Sequence, residues 1–379
     1  MLMFPNFGHV QRSPCAGRVQ EPVARHLAPV QECTSVNSAS RGLKRSVLAG
    51  LVGLGCQNAS RRCGKRRLRS AAHSVEPTMK FEEWRGHQIR CITAAGDGSK
   101  QIQIVLVHGF GGSIEYWRRL FPVLSEEGYT VHAFDLLGLG LSEKPPMEYS
   151  IELWAEQVKD FLTKLGTENV VLVGNSFGSL ISLLAASEQR PKGIVMLNCA
   201  VGMNNKNMVK SPKMNNLQRF FAKLALGLVD LIFRSPILDA AFKSFANKEQ
   251  VSALLKNLYP TNPAAVDDEL AEGFVQPSQT PGALDVLRQI YTGNPGPTPM
   301  EILAGGRMAD LPMKVIWGDQ DTLTPIKGDV GSFLTEQAKE RSSIDFEIIS
   351  AGHLPHDENP EAVNKAVLAW LAKEPWRSS

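Results

Sequence analysis

Cysteine is scarce where a covalent framework would need it. Four of the six cysteines (Cys15, Cys33, Cys56, Cys63) fall in the first 80 residues, which leaves only Cys91 and Cys199 beyond. Two thiols make neither a disulfide scaffold nor a metal cluster, and such usage fits a reducing compartment. Cys199 follows an apolar run and reads as a buried structural thiol. Long apolar runs are missing too. Val47–Cys56 spans 10 residues, where a bilayer-crossing helix needs about 20, so no ordinary transmembrane span is expected. Acids are almost absent from the start of the chain. Residues 1–80 carry 13 Lys/Arg against 3 Asp/Glu, a net of +10; the whole chain is +3, so the remaining 299 residues hold −7. Two different things are joined here.

The basic part contains "GLKRSVLAGLVGLGC" and then "RRCGKRRLR". Rich in Arg and Ser and poor in acids, it reads as an organelle-targeting leader over residues 1–78 without fixed structure, for the plastid first and the mitochondrion second. Its apolar run would then be a signal core in a two-part leader. The alternative is a disordered basic tail that touches nucleic acid or a membrane surface. For the folded part no nucleic-acid partner is expected.

From about Met79 short β-branched runs alternate with longer helical patterns. "IQIVLV" (102–107), "TVHAFD" (130–135), "VVLV" (170–173), "GIVMLN" (193–198), "MKVIW" (313–317) and "FEII" (346–349) read as buried strands. The stretches "SIEYWRRLFPVLSEEG", "SIELWAEQVKDFLTKLG" and "SLISLLAASEQR" between them repeat apolar residues every three or four positions. Ser150 opens the second of these and Gly166 closes it. This alternation predicts a mostly parallel sheet with helices on both faces. From Met203 to Gly305 the rhythm breaks into helical stretches, and "NPGPTP" (294–299) marks the return to the sheet. The expected plan is a core over 79–202 and 306–379 with a helical cap inserted over 203–305.

Within this plan "LVGNSFGSL", Leu172–Leu180, places Ser176 in a G-x-S-x-G pattern. That pattern arises by chance in about one chain in ten of this length at ordinary Gly and Ser usage. Its setting is what makes it specific. It follows the strand "VVLV" and precedes a helix, the strand–turn–helix context of a nucleophile elbow. Gly174 and Gly178 would keep strand and helix clear of the strained serine. The competing reading, a phosphate-binding loop, lacks the lysine that such a loop carries.

A serine hydroxyl needs a base, and the base needs an orienting acid. Where such an elbow sits in a sheet of this plan, the acid follows the serine in chain order and the histidine comes last. Only two of the eight histidines, His353 and His356, lie after Ser176. His353, directly after Gly352 in the loop beyond the last strand, is the expected base. His356 is expected to cap the Asp357/Glu358 turn or to face solvent. The loop "GDQDTLTP" offers Asp319 and Asp321. Asp321, deeper in the loop, is the expected acid, and Asp319 the turn cap. Two backbone N–H groups would hold an oxyanion: that of Phe177, directly after the serine, and that of Phe110 in "LVHGFGGS" (106–113). The His108 side chain is read as structural, and a glycine-rich phosphate loop is the alternative for this stretch. No metal or organic cofactor is implied.

"LVHGFGGSIEYWR", "FDLLGLGLSEKP", "VGNSFGSL", "WGDQDTLTP" and "AGHLPHDENPE" together resemble the α/β-hydrolase superfamily over about residues 79–375. "LNCAVGMNNK", "PGALDVLRQIYTGNPGPTP" and "GHLPHDENPEAVN" further resemble the plastid serine hydrolases of the chlorophyll dephytylase and pheophytinase group. That resemblance implies an α/β-hydrolase fold and a triad of Ser176, Asp321 and His353. It also implies cleavage of the ester joining phytyl alcohol to a chlorin propionate. One departure is Ser179, where many relatives carry a second glycine. The apolar stretch 217–246 is expected to line a slot for a hydrophobic ester, to rest on a membrane as a peripheral contact, or simply to pack the cap. Two other functions stay open: a carbon–carbon bond hydrolase or small-molecule esterase of the same fold, and a binding module that has lost catalysis.

Overall fold

The computed structural model of the chain describes residues 76–306 and 308–377. The leader expected over 1–78 therefore lies outside the described residues, except for its last three positions. Eight strands form one sheet: β1 (Thr78–Trp84), β2 (His87–Ala94), β3 (Gln103–Val107), β4 (Thr130–Phe134), β5 (Val170–Asn175), β6 (Gly193–Leu197), β7 (Met313–Gly318) and β8 (Ile344–Ile349). Their spatial order is β1-β2-β4-β3-β5-β6-β7-β8. From β4 to β8 all neighbours are parallel, and the β1–β2 hairpin joins antiparallel through β2 and β4. The six strands β3 to β8 match the apolar runs of the sequence. β5 is buried at every position, as a parallel strand covered on both faces must be.

The hairpin was not expected from the sequence. β1 is mostly exposed and carries Lys80, Glu82 and Glu83, so it lacks the continuous apolar run of a covered strand. Its turn has positive φ at both central residues, Arg85 (49°) and Gly86 (84°), the backbone that a tight two-residue hairpin requires.

Helices cover both faces. α1 (Phe121–Glu126), α2 (Ile151–Leu165) and α3 (Phe177–Glu188) alternate with the early strands. Between β6 and β7 come α4 (Asn216–Arg234), α5 (Ile237–Phe245), α6 (Lys248–Leu258), α7 (Asp268–Ser278), α8 (Ala283–Thr292) and α9 (Pro299–Ala304), with no strand among the described residues of this interval. α10 (Asp329–Glu340), α11 (Pro355–Glu358) and α12 (Pro360–Ala372) complete the chain. α2 begins where Ser150 accepts a bond from the Leu153 amide and ends on Gly166 in the left-handed region.

One apolar cluster, with Trp154, Leu180, Ile181 and Leu334, packs α2, α3 and α10 on one face of the sheet. The other, with Phe121, Leu124, Val367 and Trp370, packs α1 and α12 on the opposite face. Burial of this kind, at about 25 cal/mol per Å² of apolar surface, fixes the sheet so that its carboxyl edge presents five loops side by side. Those loops follow β3, β5, β6, β7 and β8; Phe110, Ser176, Asp321 and His353 lie on them, with Gly174 at the end of β5 and Phe177 and Gly178 at the start of α3.

Candidate functional site

Ser176 stands on the turn between β5 and α3 with φ 56° and ψ −124°, a conformation that a residue with a side chain seldom adopts. Such a position stores about 1–3 kcal/mol and persists only where its surroundings over-determine it. They do so here. The Ser176 amide donates to Leu197 O at 2.9 Å and the Ala200 amide donates to Ser176 O at 3.1 Å, so the end of β6 clamps the turn from both sides. A Cβ on Gly174 would lie 2.4 Å from Gly178 O, and one on Gly178 would lie 2.2 Å from Val107 O. Only hydrogen fits at either glycine, which is what lets α3 start directly against β3 and β5. Ser179 is buried, and its hydroxyl lies 2.7 Å from Gly174 O and 3.1 Å from the Leu197 amide. A glycine there would leave those groups unbridged.

Three side chains from three loops meet in a line. His353 Nε2 lies 2.9 Å from Ser176 Oγ, and His353 Nδ1 lies 2.7 Å from Asp321 Oδ2. The Asp321 carboxylate is full. Oδ1 accepts the amides of Leu323 (2.8 Å) and Thr324 (3.0 Å), while Oδ2 accepts His353 Nδ1, Asn198 Nδ2 and the Thr324 hydroxyl. Burial alone would raise this carboxyl, but His353, Asn198 and Thr324 outweigh it and hold it well below the usual carboxylate range. An anion at Oδ2 fixes the proton of His353 on Nδ1. Nε2 is then left with a lone pair facing the serine hydroxyl, the arrangement that accepts its proton.

The amides of Phe110 and Phe177 flank the serine. Neither has an internal hydrogen-bond partner among the described residues. Phe177 opens α3, whose first amides point out of the helix end. The backbone before Phe110 is pressed onto the serine: a Cβ on Gly109 would sit 3.1 Å from Ser176 Cβ. His108 holds this loop with Nδ1 donating to Gly109 O (2.8 Å) and Nε2 accepting the Leu136 amide (3.0 Å). Burial lowers this histidine to about 4, so it stays neutral. Asp135 ties the same loop to the next one by accepting the amides of Ile114 and Leu141, each at 2.7 Å.

Two side chains depart from the sequence reading. His356 neither caps the turn nor faces solvent. It is fully buried with its ring 4.5 Å from Tyr116 and 4.6 Å from Trp117, and Nε2 donates to Tyr116 O at 3.1 Å. Asp319 does not cap its own turn either. It accepts the Ala351 amide of the neighbouring loop at 3.3 Å, and Asp321 caps the 321–324 turn instead.

Several residues of the site carried no readable signal. Asn198 has φ 46° and bridges Asp321, the Gly352 carbonyl and the Gly318 amide. Asn is among the residues that tolerate this backbone, and its place directly after a strand was the available hint. Asn175 links Tyr116 to the carbonyls of Leu197 and His353.

The interval between β6 and β7 is fastened to these loops. The His353 amide donates to Leu258 O at 3.1 Å. Glu358 accepts the Thr261 and Asn262 amides on one side and the Gly352 amide on the other. Arg118 joins Asp267 of the interval to buried Asp357. On the other flank a cavity of about 400 Å³ opens between the Asp321 loop, the start of α10 and residues 205–218. Val201, Met214, Trp317, Leu323 and Pro325 make its wall largely apolar, and Cys199, whose thiol burial pushes well up, reaches it too. Cys199 and Val201 flank Ala200, which holds the serine turn. Among the described residues no three His, Cys, Asp or Glu side chains converge as metal ligands.

Comparison with known proteins places this architecture. Residues 103–360 match the family described as alpha/beta hydrolase fold, more than half of the chain, and the protein belongs to that family. An uncharacterized hydrolase of Bacillus subtilis, YugF, is 27% identical over 271 residues, covering 71% of this chain and 89% of its own. The chloroplastic pheophytinase of Arabidopsis thaliana is 26% identical over 306 residues, 71% of this chain but 60% of that one. The crystal structure of a bromoperoxidase from Bacillus anthracis superposes with a TM-score of 0.59 at 17% identity, over 78% of this chain and all (100%) of the other, which speaks for the fold alone. Kinship with named hydrolases makes this chain a hydrolase of the α/β class.

Proposed function

We propose that the protein is a serine carboxylic-ester hydrolase acting on a large hydrophobic ester. The observation that carries this reading is the Asp321–His353–Ser176 line on a strained elbow, at 2.7 and 2.9 Å. In the reaction Ser176 Oγ attacks the ester carbonyl carbon while its proton passes to His353 Nε2. Asp321 stabilises the imidazolium so formed. The amides of Phe110 and Phe177 donate to the developing oxyanion. His353 then returns the proton to the departing alcohol oxygen, leaving an acyl-serine. Water attacks that ester with His353 again taking its proton; the bond between the acyl carbon and Ser176 Oγ then breaks, His353 returns the proton to Oγ, and the acid is released.

For the substrate, the phytyl ester of chlorophyll or pheophytin fits best, with the plastid as the compartment. Three things support it: the basic N-terminal segment, the largely apolar cavity bordered by Leu323–Pro325 of the Asp321 loop and the resemblance to pheophytinase. The cavity is of a size for an apolar chain. The test uses the full chain. Ser176→Ala should lower hydrolysis of a p-nitrophenyl long-chain ester by about 10⁴-fold or more with an unchanged melting temperature. Wild type should release phytol from chlorophyll or pheophytin. Turnover kept in the variant removes the serine mechanism; absence of phytol from both pigments removes the pigment assignment; cleavage of a ring-fission diketone instead moves the protein to carbon–carbon hydrolysis.

A further inference from the structure

α4 wears its apolar side outward. Leu217, Phe220, Phe221, Leu224, Leu228 and Leu231 are each between 57 and 65% exposed. At 3.6 residues per turn they fall within an arc of about 100°, one continuous face from Leu217 to Leu231 of the helix. The inward side is already occupied: Phe233 is buried and stacks on Tyr291 of α8 at 4.1 Å. A surface helix of a soluble domain has this pattern reversed.

One edge of the apolar arc is basic. Lys223 and Arg234 are exposed there, and among the described residues neither has a carboxylate partner. Residues 204–235 hold six Lys/Arg against one Asp, a net of +5 in a chain whose residues 81–379 sum to −7. Among the described residues no helix is long and apolar enough to cross a bilayer. An exposed apolar face with a cationic edge lies in the plane of an anionic lipid surface, its apolar side chains among the acyl chains and its cations at the headgroups. Other occupants fit less well. A second copy would bring the same cations to the seam, and the chain's own first 80 residues, at +10, share their sign.

We infer that α4 docks the protein on a membrane rich in anionic lipid. Gln218 in the first turn of this helix lines the cavity, together with Met208 and Met214 in the segment just before it. A lipid-dissolved molecule would therefore meet the cavity without leaving the apolar phase. This docking does not depend on the ester-hydrolase reading and is tested without activity. The full-length chain is floated with vesicles of phosphatidylcholine alone or with phosphatidylglycerol added. Wild type should float with the mixed vesicles. Leu224→Asp/Leu228→Asp should reduce the bound fraction by about tenfold or more. Lys223→Glu/Arg234→Glu should do so by about tenfold on the mixed vesicles and leave the weak binding to neutral ones unchanged. Thermal melts by circular dichroism check that both variants fold, since neither pair is buried. Flotation undiminished in the Leu224→Asp/Leu228→Asp variant overturns the inference, because the basic N-terminal segment then carries binding. A wild-type dimer that the same variant converts to monomer, with no flotation, also overturns it and identifies a second copy as the occupant.

Discussion

Asp321→Asn changes one atom and sets two demands of the loop against each other. The side chain now has one oxygen where the carboxylate had two. If that oxygen takes the Oδ2 position, the new NH₂ faces the amides of Leu323 and Thr324. Those are backbone donors that cannot rotate, and leaving both unpaired costs about 1–3 kcal/mol each. If the oxygen takes the Oδ1 position, the amides stay paired and the NH₂ faces His353 Nδ1, Asn198 Nδ2 and the Thr324 hydroxyl. Of these the hydroxyl turns freely toward Asn198 O, 3.3 Å away. His353 satisfies the NH₂ by moving its proton from Nδ1 to Nε2. The second orientation wins because two of its three conflicts relax. The result is a histidine that presents N–H to Ser176 and cannot take its proton. The expected loss in kcat/KM is about 10⁴-fold, or about 5 kcal/mol of transition-state stabilisation, with little change in melting temperature. Steady-state hydrolysis of a p-nitrophenyl ester with parallel thermal melts decides it. A loss below tenfold in a variant that melts like wild type would refute the role given to Asp321.

Three further outcomes follow from the geometry. Gly178→Ala should destabilise by about 3 kcal/mol, read as a fall of about 6 °C or more in thermal melts, because its Cβ would lie 2.2 Å from Val107 O and 2.4 Å from His108 O; an unchanged melt contradicts this packing. Arg118→Met should cost about 3–5 kcal/mol by stranding buried Asp357, and adding Asp357→Asn should return part of it; limited proteolysis of residues 247–267 reports the loosened attachment. Stability should fall as pH drops below 6.5, since burial lowers His108, His132 and His356 to about 4 and the unfolded chain then binds more protons. Each contributes about 1.4 kcal/mol per pH unit between those values. Asp135, raised by burial to about 6, opposes them by a similar amount between its ordinary value and 6. Asp321, held low, adds its own loss only at more acid pH. Urea midpoints that stay level from pH 7 to pH 5 would show that these imidazoles are not buried neutral.

The parts of the fold legible in the sequence are those where burial is symmetric. β5 is covered on both faces, so its apolar run stands out, and the serine's place after it follows from spacing. His353 was legible because so few histidines come after Ser176. What stayed hidden depends on distant partners. His356 is buried by Tyr116, whose carbonyl it meets 240 positions back in the chain, and its local surroundings, "PHDEN", look polar. Asn198 meets Asp321 across 123 positions. β1 was missed because an exposed edge strand mixes charged and apolar residues without the run of a covered one. α4 shows a subtler limit. Its amphipathic pattern is plain in the sequence, but periodicity does not say which face the rest of the molecule covers. Only the packing of Phe233 against α8 reveals that the apolar face looks outward.

The central claim, that Ser176 is an activated nucleophile, is tested most directly by covalent trapping. The full-length chain is incubated with a fluorophosphonate at neutral pH, then its intact mass is measured and the modified peptide sequenced. One adduct per chain on Ser176 is expected, absent in Ser176→Ala and about 10⁴-fold slower to form in Asp321→Asn. An adduct at another serine, or none on the wild-type chain, would contradict it.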